Sequence, residues 1–82
     1  MRIKVLGPGC AKCKKLYAEA EKAVAGAGVA AELEKVEKVD EIVAYGVMMT
    51  PALVIDEKVV LSGRVASSAD IAKLIAAAAK NG

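Results

Sequence analysis

Cys10 and Cys13 stand three positions apart in the run Gly7-Pro8-Gly9-Cys10-Ala11-Lys12-Cys13. On a helix that spacing puts both sulfurs on one face, one turn apart. A disulfide between them then needs little backbone movement. The pair follows a short β-rich run and opens a segment of helical period. Cys10 therefore falls at a helix N-terminus, where unpaired N–H groups and the helix dipole stabilise a thiolate. Lys12, Lys14 and Lys15 add positive charge nearby. The thiolate is the reactive form in disulfide exchange, so this is the environment a redox cysteine needs. Position also divides the labour. Cys10 is expected to be exposed and to attack a substrate disulfide. Cys13 shares an apolar stripe with Leu16 and Tyr17, so it is expected to be buried and to resolve the mixed disulfide. Two inert buried thiols are the plainer alternative, which the strand–turn–helix context disfavours.

Composition removes the competing chemistries. The 82 residues include no histidine, so there is no Ser-His-Asp triad, no Cys-His pair and no histidine-ligated zinc site. Two cysteines cannot supply a four-thiolate zinc site, nor, so close together, staple a fold. A net charge of +2 with no tryptophan or phenylalanine argues against nucleic acid as a partner. No apolar run reaches the roughly 18 residues of a membrane span. The start, Met1-Arg2-Ile3-Lys4-Val5-Leu6-Gly7, is too short and too charged for a signal peptide. A cytoplasmic, reducing location is expected, where a close cysteine pair is catalytic or metal-binding rather than structural.

The elements that must hold the pair can be read in order within one domain, residues 1–82. Ile3 to Leu6 reads as a strand that Gly7-Pro8-Gly9 ends. Cys13, Leu16, Tyr17, Ala20, Val24 and Ala27 fall at helical spacing, with Gly26 and Gly28 marking the end. Val29, Ala31 and Leu33 alternate with Ala30, Glu32 and Glu34, a second strand with one solvated side. Asp40 is expected to N-cap a short helix over 41–45 that stops at Gly46, with Val39 and Ala44 as its hydrophobic staple. Ala52-Leu53-Val54-Ile55 and Val59-Val60-Leu61 flank Asp56-Glu57-Lys58 as a hairpin, although Asp56-Glu57 is a poorer turn pair than Asp-Gly. Ser67 caps a last helix with Ile71, Leu74, Ile75 and Ala78 as its buried stripe, and Ala66 is placed to staple Ile71. The order is β-α-β-α-β-β-α. Pro51 reads locally as a trans proline at a strand entry, where it need not donate a ladder hydrogen bond.

Taken together, these pieces resemble a thioredoxin-fold family, the small thioredoxin-like proteins called redox-active disulfide protein 2. The likeness rests on residues 7–13, on Tyr45-Gly46-Val47-Met48-Met49-Thr50-Pro51-Ala52-Leu53-Val54-Ile55-Asp56 and on the Gly63 turn. It implies an α/β, thioredoxin-like fold with a four-stranded mixed sheet flanked by helices. It implies Cys10 as nucleophile and Cys13 as resolving thiol, with a cis Pro51 packed beside the disulfide. Thr50 would offer its backbone to an extended substrate strand. Typical thioredoxins carry a tryptophan before the motif and Gly-Pro inside it. Here Gly9 stands before Cys10, and Ala11-Lys12 lie between the cysteines. The first strand has no acidic residue to accept the Cys13 proton, and Ser62-Gly63-Arg64-Val65 does not resemble a glutathione pocket.

The leading expectation is a thiol-disulfide oxidoreductase, a protein-disulfide reductase that needs no cofactor. Its partners would be disulfide-containing proteins and an unidentified reductase as electron donor, with no nucleic acid or membrane, and it would act as a monomer. A soft-metal carrier holding copper(I) or zinc between the two thiolates is the alternative, with Met48 and Met49 as further soft ligands. Such carriers usually end in a strand, whereas this chain ends in a helix. A third reading is an interaction domain whose cysteines merely oxidise. Methionines beside a redox site more often serve as adaptable packing. Tyr17 is expected in the core with its hydroxyl at the surface. Lys12 is either a solvated lysine or one that steers acidic substrates. Glu32, Glu34, Lys35, Glu37 and Lys38 read as a solvated face.

Overall fold

Alternation along Arg2-Ile3-Lys4-Val5-Leu6 becomes an extended segment, β1 (Arg2–Leu6), in the computed structural model, which describes residues 1–9, 11–28 and 30–81. A helix, α1 (Ala11–Ala27), carries the chain back to β2 (Glu32–Val36), which pairs parallel to β1. Parallel neighbours need such a crossover. A short helix, α2 (Val39–Ala44), leads to the hairpin of β3 (Ala52–Ile55) and β4 (Lys58–Ser62), and α3 (Ser68–Asn81) follows. β3 runs antiparallel to both β1 and β4, so the mixed sheet has the order β2-β1-β3-β4.

The period of two in the strands sends side chains to two separate cores. Ile3, Val5, Leu53, Ile55 and Leu61 meet Leu16, Ala20 and Ala23 of α1 and Ile71 and Ile75 of α3. Leu6, Val36, Ala52 and Val54 meet Ile42 of α2 and Val47 on the other side. Every residue of β3 is buried, which is why that strand reads as an unbroken apolar run. Each large side chain so buried contributes about 1.5–3 kcal/mol. The small Ala20 and Ala23 let α1 lie close against its neighbours.

Several boundaries differ from expectation, each for a local reason. The second strand begins at Glu32, not Val29, because pairing with Arg2 rather than its own alternation sets its start; Val29 lies outside the described residues. Gly26 is inside α1, and Gly28, at φ +68°, follows the helix end. Lys38, not Asp40, is the N-cap of α2, without a side-chain hydrogen bond. Asp40 sits in the first turn, and Val39 is itself helical and 65% exposed, so it makes no staple. The fourth strand runs one residue further at each end than the 59–61 expected. The Thr50–Pro51 bond is cis, against the local reading and in agreement with what the resemblance implies.

Asp56 and Glu57 both adopt positive φ, 48° and 69°, the signature of a type I′ two-residue turn. Their side chains explain why the turn does without glycine. Asp56 Oδ1 accepts the Arg2 N–H at 2.9 Å, and the Asp56 N–H donates to the Arg2 carbonyl at 2.8 Å. Glu57 reaches Lys4, which projects from β1 on the α2 side with its side chain only 14% exposed. Lys4 Nζ donates to Tyr45 Oη at 2.6 Å and to Glu57 Oε1 at 3.0 Å. Tyr45 Oη donates in turn to Glu57 Oε2 at 3.0 Å, which closes a ring of hydrogen bonds. Glu34 adds an ion pair at 3.7 Å. The bonds to Tyr45 and Glu57 hold the Lys4 pKa above the ordinary lysine value. Lys4, and after it Tyr45, holds the Glu57 carboxyl below the usual range.

Ser67 caps α3 as expected, accepting the Asp70 N–H at 3.2 Å. A second cap comes from another helix. Glu19 Oε1 of α1 accepts the Ser68 N–H at 2.9 Å, and Glu19 Oε2 meets Lys22 Nζ at 3.1 Å. The Ser68 bond first, and Lys22 after it, hold the Glu19 pKa below its ordinary value. A depressed carboxyl stabilises the fold above its unfolded pKa, and that contribution disappears as pH falls through the folded pKa. Glu19→Gln should therefore lower the urea midpoint at pH 7. The gap to wild type should close as pH falls below about 4, where carboxylates protonate. A gap that stays constant down to pH 2 would remove the charge of Glu19 from the account.

Candidate active site

The site is built where β1 and β2 end together, at the paired residues Leu6 and Val36. The Gly7 N–H continues the ladder for one step, donating to the Val36 carbonyl at 2.9 Å. Pro8 and Gly9, the latter at φ +93°, then turn the chain toward α1. Cys10, expected as the nucleophile, lies outside the described residues. Cys13 is the third residue of α1 and is 5% exposed. Its apolar neighbours along the helix, Leu16 and Ala20, are fully buried.

The first turn of α1 contains no acidic residue, while Lys12, Lys14 and Lys15 are all exposed on its opening turns. Cations at the positive end of a helix dipole disfavour the helix. The arrangement therefore does nothing for helix stability, and it keeps the potential at the start of α1 positive. N–H groups in that turn have no intrahelical acceptor, which adds to the same effect. Such a potential favours thiolate over thiol.

Pro51 comes to the same place from the other end of the chain. It is fully buried at the entry to β3, and its carbonyl accepts the Gly63 N–H at 2.8 Å. Gly7 borders both Pro51 and Cys13. Thr50, directly before Pro51, is exposed. The structure thus brings together Cys13 and Pro51, residues 38 positions apart, with Thr50 on the solvent side. Met48 is 95% exposed, whereas Met49 folds back over Gly63: a Cβ there would lie 3.2 Å from Met49 Cβ and 3.5 Å from its Sδ. That is packing against a turn.

A cavity of about 270 Å³ reaches Cys13 and is lined also by Val5, Gly7, Pro8, Gly9, Lys14, Lys35 and Glu37. Lys35 and Glu37 are solvent-exposed, as a solvated face would be, yet they also border the thiol's surroundings. Sequence reading missed this second role. The missing signal was the β1–β2 register, which sets residue 37 beside the loop after β1. Lys35 Nζ also sits 4.6 Å above the Tyr17 ring, which packs partly buried against the helix-side core. A larger basin, about 660 Å³, opens on the α2 side around Lys4, Glu34, Glu41, Tyr45 and Glu57. Lys4, Tyr45 and Glu57 satisfy one another there, with Glu34 beside them, so that basin reads as structural.

A mixed four-stranded sheet with a buried cysteine in the first turn of the helix after its central strand defines a thioredoxin-like protein. A family model described as Thioredoxin domain matches residues 1–76. A thioredoxin of Methanothermobacter thermautotrophicus is 39% identical over 75 residues, which cover 92% of this chain and 97% of that protein. A thioredoxin of Methanocaldococcus jannaschii is 38% identical over 69 residues, 84% of this chain and 79% of that protein. The chain belongs to the thioredoxin family, a family of thiol-disulfide oxidoreductases. The soft-metal carrier reading finds no support in these relatives. No helix among the described residues is long and apolar enough to cross a membrane.

The burial of Cys13 has a direct chemical readout. In a Cys10→Ser protein, iodoacetamide should label Cys13 at least about tenfold more slowly in the folded state than in urea. Equal rates would show that the sulfur is open to solvent.

Proposed function

We propose that Cys10 and Cys13 form a redox-active dithiol that reduces disulfide bonds in protein substrates. The Cys10 thiolate attacks one sulfur of the substrate disulfide. That bond breaks, a mixed disulfide forms, and the first substrate sulfur leaves and takes up a proton. Cys13 then loses its proton and attacks the Cys10 sulfur. The Cys10–Cys13 bond forms as the second substrate thiol departs. Two electrons and two protons have passed to the substrate, and a separate reductase must return them to the dithiol. Thr50 is assigned the backbone contact to an extended substrate segment beside Pro51.

The observation that supports this reading is the setting of Cys13. It is a buried sulfur in the first turn of a lysine-bordered helix, beside Gly7, which also borders a buried proline. A reducing compartment suits a protein that donates electrons, and the monomer is the acting unit. The test is turnover of insulin with dithiothreitol as electron source. Cys10→Ser should lower the rate to that of dithiothreitol alone. Mixed with insulin in the absence of dithiothreitol, Cys13→Ser should stall at the mixed disulfide and retain covalently bound protein substrate that added reductant releases. Wild-type turnover by Cys10→Ser would refute the assignment of the nucleophile.

A further inference from the structure

Gly7 has a negative φ and needs no special backbone freedom, since it is absent from the residues at positive φ. What sets it apart is the space beside it. A Cβ on Gly7 would overlap the Cys13 sulfur outright and stand 3.0 Å from Cys13 Cβ. Non-bonded carbon atoms settle at about 3.5–4.0 Å, so both contacts lie on the repulsive wall. The Pro51 Cα is 4.0 Å from the same point. Neither partner yields easily. The Gly7 N–H is tied to the Val36 carbonyl at 2.9 Å, which anchors the backbone to β2. Cys13 is carried by the first turn of α1. Its helix is fixed in turn by the fully buried Leu16 and Ala20.

We propose that Gly7 is the positioning residue for the Cys13 sulfur, holding it against the end of β1 and beside Pro51 by having no side chain of its own. This rests on the reading of Cys13 as half of a redox dithiol. A side chain at position 7 pushes the sulfur into another rotamer or moves the start of α1. A thiol does accommodate either shift, at a cost in packing. A disulfide does not, because its bond length, dihedral and Cβ separation are narrowly fixed. Position 7 thereby bears on the oxidised form more than on the reduced one.

Two measurements on the full chain test this. The first is the equilibrium of the dithiol with a dithiothreitol redox buffer. Gly7→Ala should shift it toward the reduced protein by about tenfold or more, the size expected when a packed site is overfilled. Gly26→Ala, where a Cβ meets nothing within 4 Å, should leave it unchanged. The second is a double-mutant cycle on urea unfolding of the reduced protein, combining Gly7→Ala with Cys13→Ala, which deletes the sulfur. Gly7→Ala should cost less stability when Cys13 is alanine, and if the single variant fails to fold, the double variant should fold. A wild-type equilibrium in Gly7→Ala, or additive effects in the cycle, would overturn the proposal. So would a double variant as unfolded as the single one. The cycle reads the contact without any redox step. Absence of disulfide reduction by the wild type would therefore sink the proposed function and leave this contact standing.

Discussion

β1 is paired on both edges and covered on both faces, and its end determines where everything chemical falls. Its parallel ladder with β2 runs from Arg2 to Leu6, and its antiparallel ladder with β3 from Ile3 to Leu6. Both ladders stop at Leu6, a fully buried residue. Three small or rigid residues then separate a fixed strand from the cysteine motif. Because Ile3 and Val5 fix which face of β1 meets the helices, a slip of one residue would turn the core outward and displace the start of α1. The location of Cys13 is thus a consequence of hydrophobic register, set far from any chemistry.

Half-buried charge is the second constraint. Lys4 occupies a central strand on a face that also holds Leu6, and burying an ammonium there without partners is costly. Tyr45 comes from the end of α2 and Glu57 from the hairpin, so two separate segments must be in place before Lys4 is satisfied. The 5.3 Å from Nζ to the Tyr45 ring centre, with the hydroxyl at 2.6 Å, places the ammonium beyond the phenolic oxygen along the line of the C–O bond and off the ring face. The contact is a hydrogen bond, not a cation–π interaction. Glu19 plays a comparable part between α1 and α3. In both cases one carboxylate ties together elements that the chain itself brings together only through folding.

Most of the scaffold was legible because it rests on periodicity and on turn residues. The stripe through Cys13, Leu16 and Ala20, the apolar run 52–55 and the cap at Ser67 are local patterns with local causes. The elements that sequence misplaced depend on partners distant in the chain. β2 starts where Arg2 pairs it, and α2 is placed by Ile42 and Val47 packing under the sheet rather than by a capping side chain. The approach of Pro51 to Cys13 has no local signal, since it needs β3 to lie beside β1. The same holds for Lys35 and Glu37, whose place beside the thiol depends on a parallel pairing that alternation alone does not reveal. Gly7 was readable as a turn residue, but its contact with the sulfur was not.

The Asp56-Glu57 turn shows what such distant partners mean for redesign. Both residues hold a backbone shape that glycine and asparagine adopt more readily. An engineer comparing turn preferences would exchange them for Asn-Gly and expect a firmer hairpin. In this protein the tip of the hairpin is a latch on the first strand, with one carboxylate closing on the Arg2 backbone and the other on the Lys4 ammonium. The exchange would ease two dihedral angles while leaving a shielded cation without its main counter-charge. Local idealisation and global stability pull in opposite directions at this corner.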